Sequence, residues 1–122
     1  TLDRLHAMQY QLDGAGLRMT DVDALDQSGC PGVIDQGVLV NRCHGYELTN
    51  SLDFDTNQDG AMNADDAYWN SGLGWNPIGS NDETNRFSAT FEGNGHVIRN
   101  LFINRTSDYQ GLFGVTQNAV IR

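Results

Sequence analysis

The densest chemistry in the chain lies in the twelve residues Asp55-Thr56-Asn57-Gln58-Asp59-Gly60-Ala61-Met62-Asn63-Ala64-Asp65-Asp66. Counting from Asp55, oxygen-bearing side chains fall at positions 1, 3, 5, 9 and 12, and Gly60 stands at position 6. A hard cation such as calcium takes about six to eight oxygen ligands. Alternate residues of a tight loop converge on one centre, and a glycine at the sixth place makes the turn that a Cβ would obstruct. The spacing predicts a Ca2+ site formed by Asp55, Asn57, Asp59, the Ala61 carbonyl, Asn63 and Asp66, with Met62 pinning the loop to the core. The competing reading is a solvated acidic turn. Position 12 is Asp66 where calcium sensors carry a bidentate Glu, which predicts modest affinity, on the order of 10⁻⁴ to 10⁻³ M.

Other reactive side chains are sparser. Cys30 and Cys43 have no CxxC spacing and no nearby His pair, which argues against zinc. They read as one disulfide of an extracellular protein, with two reduced, buried thiols as the alternative. His6, His44 and His96 are scattered and complete no hydrolytic pattern, so no catalytic residue is assigned and the chain is not read as an enzyme. Asp82, Glu83 and Glu92 could serve as acid and base on an acidic polysaccharide, but read better as solvated turn residues. Tyr68, Trp69, Trp75 and Tyr109 could form a sugar-stacking platform or wedge between the loop and the core, and for Trp75 the wedge is the better reading. Asn104-Arg105-Thr106 matches a glycosylation sequon.

These groups must be held by short elements. The chain has 122 residues, the length of one compact domain, and its 14 glycines against 2 prolines indicate a β-rich fold broken by many turns. Sixteen acidic against 7 basic residues give a formal charge of −9, which repels nucleic acid and anionic membrane surfaces. No apolar run reaches the roughly 20 residues of a membrane-spanning helix. Leu2, Leu5, Met8 or Gln9, and Leu12 recur at helical spacing behind Thr1, and Asp13-Gly14 stops the pattern, predicting a helix over 2–12. Ala15 to Asn41 has no sustained period and reads as loop. Alternating apolar residues around Tyr46–Leu48, Leu52–Phe54 and Phe87–Phe91, then Ile98–Ile103, read as strands separated by sharp turns. Val97-Ile98-Arg99 recurs as Val120-Ile121-Arg122 after 23 residues, about one rung of a β-solenoid.

Gly45-Tyr46-Glu47-Leu48-Thr49, Leu52-Asp53-Phe54-Asp55, Gly74-Trp75-Asn76-Pro77-Ile78-Gly79, Phe91-Glu92-Gly93-Asn94-Gly95-His96 and Gly111-Leu112-Phe113-Gly114 follow one another in order. Together they resemble the GLUG-motif repeats of large bacterial secreted and surface proteins, and the calcium loop resembles those of dockerins. The resemblance implies a mainly β fold, a right-handed parallel β-helix, with extracellular or cell-surface placement and a role in adhesion or in presenting other domains. On this reading residues 1–44 form an N-terminal capping helix and disulfide-tied loop, and residues 45–122 form solenoid rungs with the calcium loop 55–66 inserted. Where relatives often read Asp-Gly-Asp-Gly, this chain has Asp13-Gly14-Ala15-Gly16, which argues against a second calcium site.

The expected function is a calcium-stabilised structural or adhesive module. The alternative is a fragment of a carbohydrate-active β-helix enzyme or a glycan-binding module. The chain begins with Thr1 and breaks off as a rung resembling that from Val97 begins, so the expected partners are further repeats of the same protein or other copies joined head to tail into filaments, and surface glycans.

Overall fold

The computed structural model describes residues 1–14, 32–41 and 45–122. Helix α1 (Leu2–Ala7) starts at Thr1, whose hydroxyl accepts the Arg4 amide at 3.2 Å, and it tightens into a 3₁₀ turn over Met8–Tyr10. The apolar stripe foreseen over 2–12 thus lies on a shorter helix, with Leu5, Ala7 and Met8 buried. Strands β1 (Gly32–Asp35) and β2 (Val38–Asn41) form an antiparallel hairpin. Its turn, Gln36-Gly37, has φ of 50° and 81°, the left-handed pair that suits the twist of a two-residue hairpin. Part of the stretch read as loop is therefore strand. The expected Cys30–Cys43 disulfide lies outside the described residues.

Five further strands follow: β3 (Gly45–Glu47), β4 (Leu52–Asp53), β5 (Thr90–Glu92), β6 (Ile98–Arg99) and β7 (Val120–Ile121). Strand β5 lies between β3 and β7, parallel to both, with Tyr46 opposite Phe91 and Phe91 opposite Ile121. Strands β4 and β6 form a separate parallel pair, with Leu52 opposite Ile98. Isolated bridges join Ile78 to Phe113 and Phe87 to Thr116.

These pairings overturn the expected β-helix. Strands of two to four residues form sheets of only two or three strands, and no solenoid is built among the described residues. A stacked rung repeats at a constant interval, but Tyr46 is 45 residues from its partner Phe91, and Phe91 is 30 from Ile121. The repeated tripeptides, read as equivalent rung starts, belong to different sheets: Ile98 pairs with β4 and Ile121 with β5. Most of the chain between strands is turn and irregular backbone, including the whole excursion from Phe54 to Arg86 apart from two short 3₁₀ turns.

What unites the pieces is an apolar cluster of Leu5, Met8, Leu48, Leu52, Phe54, Trp75, Ile78, Phe87, Ala89 and Phe91. Trp75 is fully buried at its centre, edge-on to Phe54 at 5.3 Å, to Tyr68 at 5.3 Å and to His6 at 5.9 Å between ring centroids. Its indole N–H donates to the Leu112 carbonyl at 3.1 Å, so the one polar atom of the ring is satisfied inside the core. The chain comes very close to itself nearby. A Cβ on Gly74 would lie 2.1 Å from the Phe102 carbonyl oxygen, and one on Gly114 would lie 2.4 Å from that of Gly79. Only glycine permits these backbones to touch, which explains physically why Gly-Trp-Asn-Pro-Ile-Gly and Gly-Leu-Phe-Gly carry glycine at their ends.

Candidate functional site

Strand β4 feeds directly into the loop 55–66. The backbone amide of Asp55 donates to Asp53 Oδ1 at 3.0 Å, and that oxygen also accepts Asn100 Nδ2 at 2.7 Å, so the loop starts from a point fixed to the strand pair. Asp55 and Asp66 are each only 6% exposed, and both face the loop backbone. Asp55 accepts the amides of Asp59 at 3.2 Å and Gly60 at 2.9 Å. Asp66 accepts those of Thr56 at 2.7 Å, Asn57 at 3.4 Å and Asn63 at 2.9 Å. The two carboxylates thus clamp the loop from its opposite ends.

Asp59 is exposed and accepts the Ala61 amide at 2.9 Å, with Asn57 Nδ2 at 3.2 Å and Asn63 Nδ2 at 3.3 Å turned towards its other oxygen. Met62 is partly buried and packs against the apolar cluster. The Asp59 carboxyl is held below its ordinary value, first by the Ala61 amide and then by the Asn63 side chain. The Asn63 amide does most to lower that of Asp66, with the Asn57 and Thr56 amides adding to it against the cost of burial. Thr56, which was not singled out from sequence, closes the loop: its hydroxyl lies 3.4 Å from Asp66 Oδ1 and accepts the Ala67 amide at 2.9 Å. Its place between two ligand positions was the only available signal.

The six residues predicted to bind calcium are therefore gathered in one loop, with their oxygens engaged by loop amides. Among the described residues, no group of three or more His, Cys, Asp or Glu side chains stands together as a metal-holding set. Among the described residues, no Arg or His side chain pairs with Asp55, Asp59 or Asp66. The donors that face them are backbone and side-chain N–H groups and the Thr56 hydroxyl.

Tyr68 follows the loop at a left-handed φ of 61° and donates its hydroxyl to Asp3 Oδ1 at 2.5 Å. Burial first, and then this bond to a carboxylate, push the phenol well above its usual range. The loop is thereby tied to α1. Of the remaining candidates, Trp75 is core and Trp69 stacks on Phe102 at 4.9 Å, so neither offers an open sugar platform, whereas Tyr109 is 55% exposed. Asp82 accepts the Thr84 amide at 3.0 Å as cap of the short 3₁₀ turn Glu83–Asn85. Glu92 lies 3.6 Å from Arg122 as an exposed ion pair. His6 sits in the aromatic cluster, His96 is exposed, and His44 lies outside the described residues.

Two clefts open beside α1. One, of about 340 Å³, is lined by Gln9, Asn76, Asn81, Asn85 and Tyr109 among others. The second, of about 420 Å³, shares Gln9, Leu12 and Asn85 with the first and adds Tyr10, Arg86 and Asn118. Of these residues only Tyr109 was a candidate from sequence, because the others come from separate stretches of chain with no pattern linking them. No helix among the described residues is long and apolar enough to cross a membrane.

No family model matches the chain, and no solved structure matches it. It is 51% identical over 53 residues to a protein of Evansella cellulosilytica described as a Gly-rich membrane protein, covering 42% of this chain and 6% of that one. It is 30% identical over 112 residues, or 90% of its length, to halomucin of Haloquadratum walsbyi. The chain spans about 6% and 1% of these two relatives, so what it resembles is a small segment of very long proteins.

Proposed function

We propose that the chain is a calcium-stabilised structural or adhesive module of a cell-envelope or surface protein. The names of both relatives are those of envelope or surface proteins, and their great length suits a repeated or multi-module architecture. An extracellular position, where calcium is plentiful, is the finer form of the same reading.

One observation carries the calcium half. Asp55 and Asp66 are nine-tenths buried in a loop whose candidate ligand atoms are all oxygens, and no basic side chain among the described residues neutralises them. A buried carboxylate held only by neutral N–H and O–H donors remains a concentrated negative charge, and a hard divalent cation is the species that such an oxygen set selects. The loop amides would shape the site, and the cation would supply the missing positive charge. Because β4 and Tyr68 bracket the loop, order imposed there passes to the strand pair and to α1.

Partners are proposed to be further segments of the same protein. Strand β7 presents the half-exposed Val120 and Ile121 at the edge of the three-stranded sheet, a surface that continued pairing would cover.

Thermal denaturation in calcium, in magnesium and in excess EGTA tests the calcium reading. A melting temperature that rises with calcium in the parent but not in Asp59→Ala is expected. An unchanged temperature on adding EGTA, or an Asp59→Ala chain as responsive as the parent, overturns it.

A further inference from the structure

We propose that the two clefts beside α1 form one continuous binding groove for a neutral oligosaccharide. This rests on the adhesive half of the function proposed above and names the ligand class. Each cleft, at about 340 and 420 Å³, falls in the roughly 300–1,000 Å³ range of small-ligand sites, and the shared walls at Gln9, Leu12 and Asn85 join them into one elongated depression.

The lining has the chemistry that recognises polyhydroxylated rings. The side-chain amides of Asn81, Asn85 and Asn118 make no hydrogen bond within the described residues, so each offers a donor and an acceptor to vicinal hydroxyls. Tyr10 at 59% exposure and Tyr109 at 55% contribute one ring to each cleft, and aromatic faces stack on the apolar C–H faces of sugars. Arg86 also lines the second cleft, where its Nη1 is held by Gln117 Oε1 at 3.1 Å, which fixes the guanidinium in the wall.

The groove is also preorganised. Gln9 donates to the Asn76 carbonyl at 3.1 Å, which locks the end of α1 to the floor. Arg105 donates to the carbonyls of Trp75 at 3.0 Å and Gly74 at 3.0 Å, and Gln110 donates to those of Arg105 and Ser107, so the turn presenting Tyr109 is anchored to the core on both sides. Rigid placement lowers the ordering cost of binding. Charge selects among glycans: the chain carries −9, and Asp13, Glu83 and Asp108 also line the clefts, so uronates and sulfated chains are repelled while neutral hexose polymers are not.

Titration calorimetry of the whole chain should use cellohexaose, mannohexaose, chitohexaose and polygalacturonate, each in calcium and in EGTA. Saturable binding of at least one neutral hexasaccharide, none of polygalacturonate, and at least a tenfold loss in both Tyr109→Ala and Asn85→Ala are expected. Both side chains are solvent-exposed, and melting temperatures within the error of the parent check that the variants are folded. Absence of binding to every neutral oligomer, preference for polygalacturonate, or binding unchanged in Tyr109→Ala and Asn85→Ala would overturn the assignment. The calcium response of the melting temperature is read independently in the same samples, so failure of the groove is distinguished from failure of the loop.

Discussion

The loop 55–66 and the aromatic cluster around Trp75 are neighbours that hold irregular backbone in place by opposite means. The loop closes through carboxylates that accept amides two to ten residues away, and most of its residues are exposed. The cluster closes through rings brought together from residues 6, 54, 68 and 75, with almost no polar atoms involved. Polar closure depends on what else is in solution, since a cation or a proton competes directly for the same oxygens. Apolar closure answers only to volume and shape. Regulation by solution conditions should therefore act at the loop, and global stability should reside in the cluster.

Emptying the cluster gives the largest expected effect. Trp75→Ala removes the ring at its centre and should cost about 3–5 kcal/mol in urea denaturation, with Trp75→Phe recovering part of it. A smaller loss would show that stability is shared more evenly than the burial suggests.

Calcium comes next. With 10 mM calcium and a dissociation constant on the order of 10⁻⁴ to 10⁻³ M, mass action adds about 1.4 to 2.7 kcal/mol, which EGTA removes. The same gain should persist in the weakened Trp75→Phe chain if the two regions stabilise independently. Gly74→Ala tests the close backbone approach beside Trp75: strain at φ 72° alone costs about 1–3 kcal/mol, and the 2.1 Å encounter with Phe102 adds to it. The loss should be insensitive to calcium.

Tyr68→Phe cuts the tie between the loop and α1, and should cost about 1 kcal/mol because the bond to Asp3 is partly exposed. Calcium-dependent protection of α1 amides from hydrogen exchange should weaken in that variant. If it does not, the loop and the helix communicate by another route.

The smallest effect is expected at Asp82. The Thr84 amide holds its carboxyl below the ordinary value of 3.8, so the ionised form is stabilised by folding. That contribution is fully present above the ordinary pKa and is lost as pH falls through the lower folded value. Asp82→Asn should remove that small contribution at neutral pH and so flatten the stability profile below about pH 4, as read from denaturation curves across about pH 2–7.

The sequence reading succeeded where interactions are local. Thr1 and the apolar spacing announced a helix whose cap is made three residues away, and the Asp and Asn spacing announced a loop whose bonds span at most eleven. It failed where pairing is remote. The hairpin 32–41 carries its signal in Gln36-Gly37, a weaker turn pair than Asn-Gly. The recurrence of Val-Ile-Arg suggested stacked rungs, but two-residue strands carry too little pattern to specify a partner, and Ile98 and Ile121 went to different sheets.

What the sequence by itself determined is the acidic character of the chain, the start of the helix and the internal geometry of the 55–66 loop, because each depends on charge sums or on neighbours within a few bonds. Only the tertiary structure decided that Trp75 is core while Tyr109 is surface, that Gly79 must face Gly114, and that Gln9, Asn85 and Tyr109 line one groove. Those outcomes depend on which distant segments exclude water from one another. That choice is made by the packing of the whole chain, so residues with identical local patterns can end on opposite sides of the surface.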